Sequence, residues 1–250
     1  MAHIRLRNVN VDIPVYNARS RRLISKEVLL RRIGGAMKVD HDSRVVISAL
    51  HDITLDIEQG ERLGLVGHNG AGKTTLLRVL SGIYPPTDGT VEAEGRVAPM
   101  FNISLGMEMD ATGYENIQMM GRLLGIKGEE IEVAAPDIEE FTELGDYLSL
   151  PVRTYSSGML MRLAFAIATA RPADIVLIDE AMGAGDTSFY EKTQKRLDNF
   201  LSRSGLLVLT THSEQLMRQF CTRAVLLHNG KIELIGDLDE VYAKYSELLV

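Results

Sequence analysis

The chain has 250 residues, 45% of them hydrophobic and 24% charged, with a formal net charge of -7. Length allows one large domain or two small ones, and the composition is that of an ordinary globular protein. The acidic balance argues against a general nucleic-acid binder, the lone Cys221 excludes an internal disulfide and fits a reducing compartment, and no stretch approaches the ~18 apolar residues a membrane span needs. The polar, alternating start Met1–Arg7 is unlike a signal peptide. Cys221 reads as a buried small apolar residue.

Ile4 to Val11 alternates apolar and polar as a strand should. Residues 17–43 break that pattern with Arg19, Arg21, Arg22, Lys26, Arg31 and Arg32, and read as a basic insertion between strands. Val45–Ile47 and His51–Ile57 resume strand patterns, and Glu58–Glu61 turns into the short buried strand Leu63–Val66. Thr75–Leu80 reads as a helix, Pro85–Gly89 as a turn and Gly89–Val97 as a hairpin. From about residue 103 to 170 the pattern is mostly helical, with Gly, Asp and Pro breaks. Ile175–Ile178 and Leu206–Thr210 are continuous apolar strands of the kind buried on both faces. Ala224–His228 and Lys231–Leu234, joined by Asn229-Gly230, form a hairpin, and Leu238–Leu249 closes the chain as a helix.

Between the strand Leu63–Val66 and the helix at Thr75 lies Gly67-His68-Asn69-Gly70-Ala71-Gly72-Lys73-Thr74, which matches G-x-x-x-x-G-K-[ST]. Glycines let the backbone turn so that its N–H groups face the phosphates of a nucleoside triphosphate. Lys73 adds a point charge at the β/γ-phosphates, Thr74 offers a hydroxyl to Mg²⁺, and the helix N-terminus completes the anion site. Thr75 belongs to the same loop exit.

The strand Ile175–Ile178 ends in Asp179-Glu180, about 105 residues after Lys73. Adjacent side chains on an extended chain point differently. Asp179 can serve the Mg²⁺ shell while Glu180 polarises an attacking water. His212 stands just past another buried strand, where parallel sheets gather their ligands; a lone histidine is otherwise usually structural. Tyr155-Ser156-Ser157-Gly158-Met159 precedes a helical run and offers hydroxyls, free N–H groups and a dipole end, a second anion site.

Together these residues resemble the nucleotide-binding subunit of an ABC transporter, over essentially the whole chain. The resemblance makes Gly67–Thr74 Walker A, Tyr155–Met159 the signature, Ile175–Asp179 Walker B, Glu180 the catalytic carboxylate, His212 the switch histidine and Asp186 the D-loop aspartate. It implies an α/β fold: a P-loop NTPase, RecA-like core (about 1–102 and 173–250) with an antiparallel β subdomain, an inserted helical subdomain (about 103–172) and the insertion 17–43. It also implies ATP with Mg²⁺ and a head-to-tail homodimer in which the signature, Ser156 and Gly158 above all, contacts the γ-phosphate in trans. The partners it implies are integral-membrane permease subunits, contacted by Leu105–Tyr114, at the cytoplasmic face of the membrane.

Departures narrow the subgroup. The signature reads Tyr-Ser-Ser-Gly-Met where Leu-Ser-Gly-Gly-Gln is common, the D-loop reads Gly183-Ala184-Gly185-Asp186, and Asn102 stands where the family has a glutamine that reaches Mg²⁺. These variants, the early insertion and the stretch Ala111–Ile117 resemble ATPase subunits that export bacterial polysaccharide of O-antigen, capsule or teichoic acid type, with lipid-linked glycan as cargo. A drug or lipid exporter is the alternative within the family. Soluble ABC ATPases of DNA repair or translation usually carry two nucleotide units or a long coiled-coil insertion, and neither is visible. A non-hydrolysing regulator does not fit Lys73, Asp179, Glu180 and His212. With the chain ending at Val250, the C-terminal carbohydrate-binding domain that some members carry is not expected in it, as in a short member or a truncated one. Tyr16 is the candidate for stacking on adenine, with His41 second; a packing role for Tyr16 is equally compatible. The basic insertion either meets anionic headgroups or a lipid-linked phosphate, or is a solvated arm.

Overall fold

The computed structural model describes residues 1–14, 36–39, 45–101, 103–104, 106–179 and 187–248. They fall into two compact units, Met1–Gly95 with Leu177–Asp179 and Gly205–Val250, and Arg96–Val176 with Glu180–Ser204.

The first unit opens with β1 (His3–Pro14), which pairs antiparallel with β3 (Val45–Ile57) on one side and β5 (Asp88–Glu94) on the other. A short strand, β2 (Ala36–Val39), pairs along the far side of β3 and gives the sheet order β2-β3-β1-β5. The alternation of β1 changes phase in mid-strand, with Ile4 and Leu6 buried and then Val9 and Val11. A bulge accounts for this, because one extra residue inverts the facing of everything after it. Asn8 and Asp52 both take positive φ there, and Asn8 Nδ2 donates to Asp52 Oδ1 at 2.7 Å across the irregularity. β3 is one strand where alternation alone suggests the two segments Val45–Ile47 and His51–Ile57, because Ser48 and Leu50 between them pair with Asp12 and Val11 of β1 across a further register shift. The hairpin expected over Gly89–Val97 does not form. β5 pairs with β1, the chain leaves at Gly95 with φ 117°, and β6 (Val97–Met100) belongs to the second unit beside the start of β7 (Ile175–Ile178).

A mostly parallel sheet carries the rest of the first unit. β4 (Arg62–Val66) lies between β8 (Leu206–Thr210) and β9 (Arg223–His228) and runs parallel to both, and β10 (Lys231–Gly236) returns antiparallel on β9. The Asn229-Gly230 turn has φ of 49° and 76°, as a two-residue primed turn requires. All five residues of β8 are buried, which is why the strand reads as a continuous apolar run. Helix α1 (Lys73–Leu80) buries Leu76, Leu77, Val79 and Leu80. Gly64 gives Met217 room, since a Cβ there would stand 2.2 Å from the Met217 sulfur.

The second unit is mainly helical. It holds α2 (Gly113–Leu123), α3 (Gly128–Thr142) and α4 (Ser157–Ala168), which fall in the stretch 103–170 that reads as mostly helical, and α5 (Thr187–Ser202) beyond it. Thr112 and Glu115 form a reciprocal capping box on α2. Phe141, Phe165 and Phe189 join α3, α4 and α5, with the Phe165 and Phe189 ring centroids 5.8 and 5.0 Å from that of Phe141. The first unit resumes with α6 (Glu214–Phe220) and ends with α7 (Leu238–Leu248). Among the described residues no helix is long and apolar enough to cross a membrane.

Candidate functional site

Strand β4 delivers the chain into Gly67–Thr74, and α1 leaves it. Gly67, Gly70 and Gly72 take φ of 150°, 84° and 110°, a backbone that side chains rarely adopt. Gly72 is the N-cap of α1 and has no side chain to bond the first turn, and that turn holds no acidic residue. The N–H groups of Lys73, Thr74 and Thr75 therefore stay directed at an incoming anion, with the positive end of the helix dipole behind them. Lys73 Nζ donates to the carbonyls of Gly67 and His68 at 2.5 and 3.1 Å, which places the ammonium inside the loop.

The ends of three strands meet at this loop. Parallel pairing sets Thr210 level with Leu65, two residues before the loop begins. Thr74 Oγ1 donates to Asp179 Oδ2 at 2.9 Å, and Thr210 Oγ1 donates to Asp179 Oδ1. Two motifs 105 residues apart in sequence thus share one hydrogen bond. A hydroxyl and a carboxylate oxygen side by side are the hard oxygen donors that Mg²⁺ takes, so the residues present fit the ion. Thr210 is a contribution that the sequence reading missed. Its signal was a polar residue ending an otherwise apolar strand. His212 stands two residues past β8, exposed, just before the Ser213 cap of α6.

In the second unit the Tyr155–Met159 motif forms the start of α4. Ser156 is the N-cap and its Oγ accepts from Met159 N at 3.2 Å. Ser156 and Ser157 are exposed, and a Cβ added to Gly158 would meet only Ser156 Oγ, at 3.9 Å. Nothing in the surrounding chain asks for glycine there. The motif is approached through two short 3-10 turns, Gly145–Ser149 and Val152–Thr154. The second is strapped to the segment before α2: Val152 N donates to Ala111 O at 2.9 Å, Arg153 N to Met109 O at 3.0 Å, and Arg153 pairs with Asp110. Tyr155 Oη donates to Tyr147 O at 2.6 Å. Burial pushes the Tyr155 phenol upward, with Tyr114 adding to the shift.

Asn116, fully buried, organises the same strap. It accepts from Glu108 N and donates to the carbonyls of Glu108, Ala111 and Thr112, at 2.9 to 3.3 Å. Its part could have been suspected only from an amide sitting on the apolar face of a helix. Glu180, Asp186, Asn102, Leu105, Tyr16, His41 and the basic run up to Gly35 lie outside the described residues.

The family model described as ABC transporter matches residues 50–183. The chain belongs to the ABC transporter family. It is 43% identical over 232 residues to the O-antigen export system ATP-binding protein RfbE of Yersinia enterocolitica, covering 93% of this chain and 97% of that one. It is 39% identical over 201 residues to the teichoic acids export ATP-binding protein TagH of Listeria innocua, covering 80% of this chain and 60% of TagH. A solved structure of the ATP binding subunit of an ABC transporter superposes with a TM-score of 0.70 at 20% identity, over 97% of this chain and 93% of that one. The fold is that of an ABC ATP-binding cassette, with its antiparallel and mostly parallel sheets and its helical unit.

Proposed function

We propose that this chain is the ATP-binding and ATP-hydrolysing subunit of an exporter that carries lipid-linked polysaccharide, of O-antigen, capsule or teichoic acid type, across the cytoplasmic membrane. The observation that carries the hydrolytic reading is the bond between Thr74 and Asp179. It brings the phosphate loop and the acidic strand end to one point beside the anion-binding end of α1. The names of the Yersinia and Listeria relatives support the cargo class.

In this reading Gly67–Thr75 hold the triphosphate and Lys73 balances its charge. Thr74 and Asp179 hold Mg²⁺, with Asn102 as the amide donor, and the ion when bound supplies positive charge at the β/γ-phosphates. Asp179 is held in place by Thr210. Glu180 orients the attacking water and His212 steadies the γ-phosphate side. Tyr155–Met159 serve the nucleotide of a second copy of the chain, with Asp186 at the same subunit boundary. The open space around Gly158 supports this: the glycine suits close approach by something outside its own chain. Permease subunits dock on Leu105–Tyr114 at the cytoplasmic face. The straps between 109–111 and 152–153 give that surface a direct link to the signature.

The test is the Glu180→Gln variant. ATP binding at wild-type affinity with turnover reduced by orders of magnitude is the expected result. Wild-type turnover removes Glu180 from its role.

A further inference from the structure

The end of β9 and the turn that follows it touch the phosphate loop at three points. Gly230 N donates to Ala71 O at 2.9 Å. The Leu227 carbonyl fills the space beside Gly67, where an added Cβ would stand 2.3 Å from its oxygen. The imidazole of His228 meets that of His68 edge to face, with centroids 5.1 Å apart and planes at 76°. Behind the turn, His51 N donates to Gly230 O at 2.8 Å and fastens it to β3. The His68 ring is held a second time, with Nδ1 2.8 Å from Asn69 O.

A loop that binds phosphate through backbone N–H groups binds best when its shape exists before the ligand arrives, because ordering it on binding subtracts from affinity. Gly70 and Asn69 are exposed, so the loop tip draws little rigidity from burial. The aromatic contact to His68 is the point at which the turn reaches the exposed side of the loop.

We propose that His228 is a positioning residue for ATP binding: through the ring of His68 it holds the phosphate loop in its binding shape. The inference rests on the reading of Gly67–Thr74 as the ATP site. An aromatic pair of this geometry contributes about 1 kcal/mol, or about fivefold in a binding constant.

The test compares the wild-type chain with His228→Ala and His228→Phe, measuring the ATP dissociation constant, KM and kcat. Alanine is expected to weaken ATP binding and raise KM about fivefold, with kcat within about twofold of wild type. Phenylalanine, which keeps a ring edge for His68, is expected to restore both constants. An alanine variant with wild-type affinity overturns the inference, as does a loss confined to kcat or a phenylalanine variant no better than alanine. A wild-type chain that fails to bind ATP overturns the site reading as well, which separates the two failures.

Discussion

Gly158→Ala separates the needs of the fold from the needs of the site. Gly158 is the second residue of α4, and no positive φ holds it there. A Cβ would enter open space, 3.9 Å from Ser156 Oγ, an ordinary contact. The fold therefore gains from the change. Alanine in a helix is favoured over glycine by about 0.5–1 kcal/mol, partly through a less disordered unfolded chain. At a helix end roughly half of that is expected, so thermal scanning should show a melting point about 0.5–1 °C higher. Turnover should move the other way. If a γ-phosphate from a second chain closes on the Gly158 backbone, an added methyl displaces it by about an ångström, and a displacement of that size costs about 100-fold in rate. The assay is steady-state phosphate release at saturating ATP, beside the melting curve. Raised stability with unchanged turnover would refute the trans contact. Lowered stability would refute the premise that the surrounding chain leaves the position open.

Three further outcomes follow from the geometry. Asn116→Ala removes from a buried position the acceptor for Glu108 N and the donor to the carbonyls of Glu108, Ala111 and Thr112, so urea unfolding should show a loss of about 1–3 kcal/mol. Asn116→Asp, which sets a buried carboxylate oxygen against those carbonyls, should recover none of it. Thr210→Val removes the hydroxyl that holds Asp179, and Mg²⁺ titration of ATPase activity should shift to about 10-fold higher metal with little change in folding. Burial pushes the Cys221 thiol up to about 12, against a small opposing pull from Arg62. Native protein should therefore resist maleimide at pH 8 and react at once when unfolded. A thiol raised this way contributes stability that is complete below the ordinary thiol range and is lost as pH climbs from there towards 12. The gap in urea midpoint between the wild-type chain and Cys221→Ala, full at pH 8, should narrow by pH 10 if the group is responsible.

The phosphate loop was legible because its chemistry is local: eight consecutive residues, flanked by a strand and a helix, state the whole anion site. Asp179 was legible for the same reason, as a carboxylate ending an apolar strand. Thr210 was not, since its meaning depends on β8 lying parallel to β4 in a register that sequence order does not disclose. The β5 strand misled for a related reason: Gly89 and Gly95 near its ends read like hairpin punctuation, yet its partner is β1, at the start of the chain. The register shift between Val11 and Asp12 hid the continuity of β3, because alternation presumes an unbroken ladder. The strap from Ala111 to Val152 is main-chain hydrogen bonding, which leaves no mark on side-chain pattern at all.

The export reading is decided in cells that lack this protein, by quantifying lipid-linked glycan on the inner face of the cytoplasmic membrane. Accumulation inside with loss of polysaccharide from the surface is the expected result, and complementation by the wild-type chain but not by Lys73→Ala should reverse it. Unchanged glycan on both faces would contradict the polysaccharide assignment and leave an ABC ATPase that drives the export of something else.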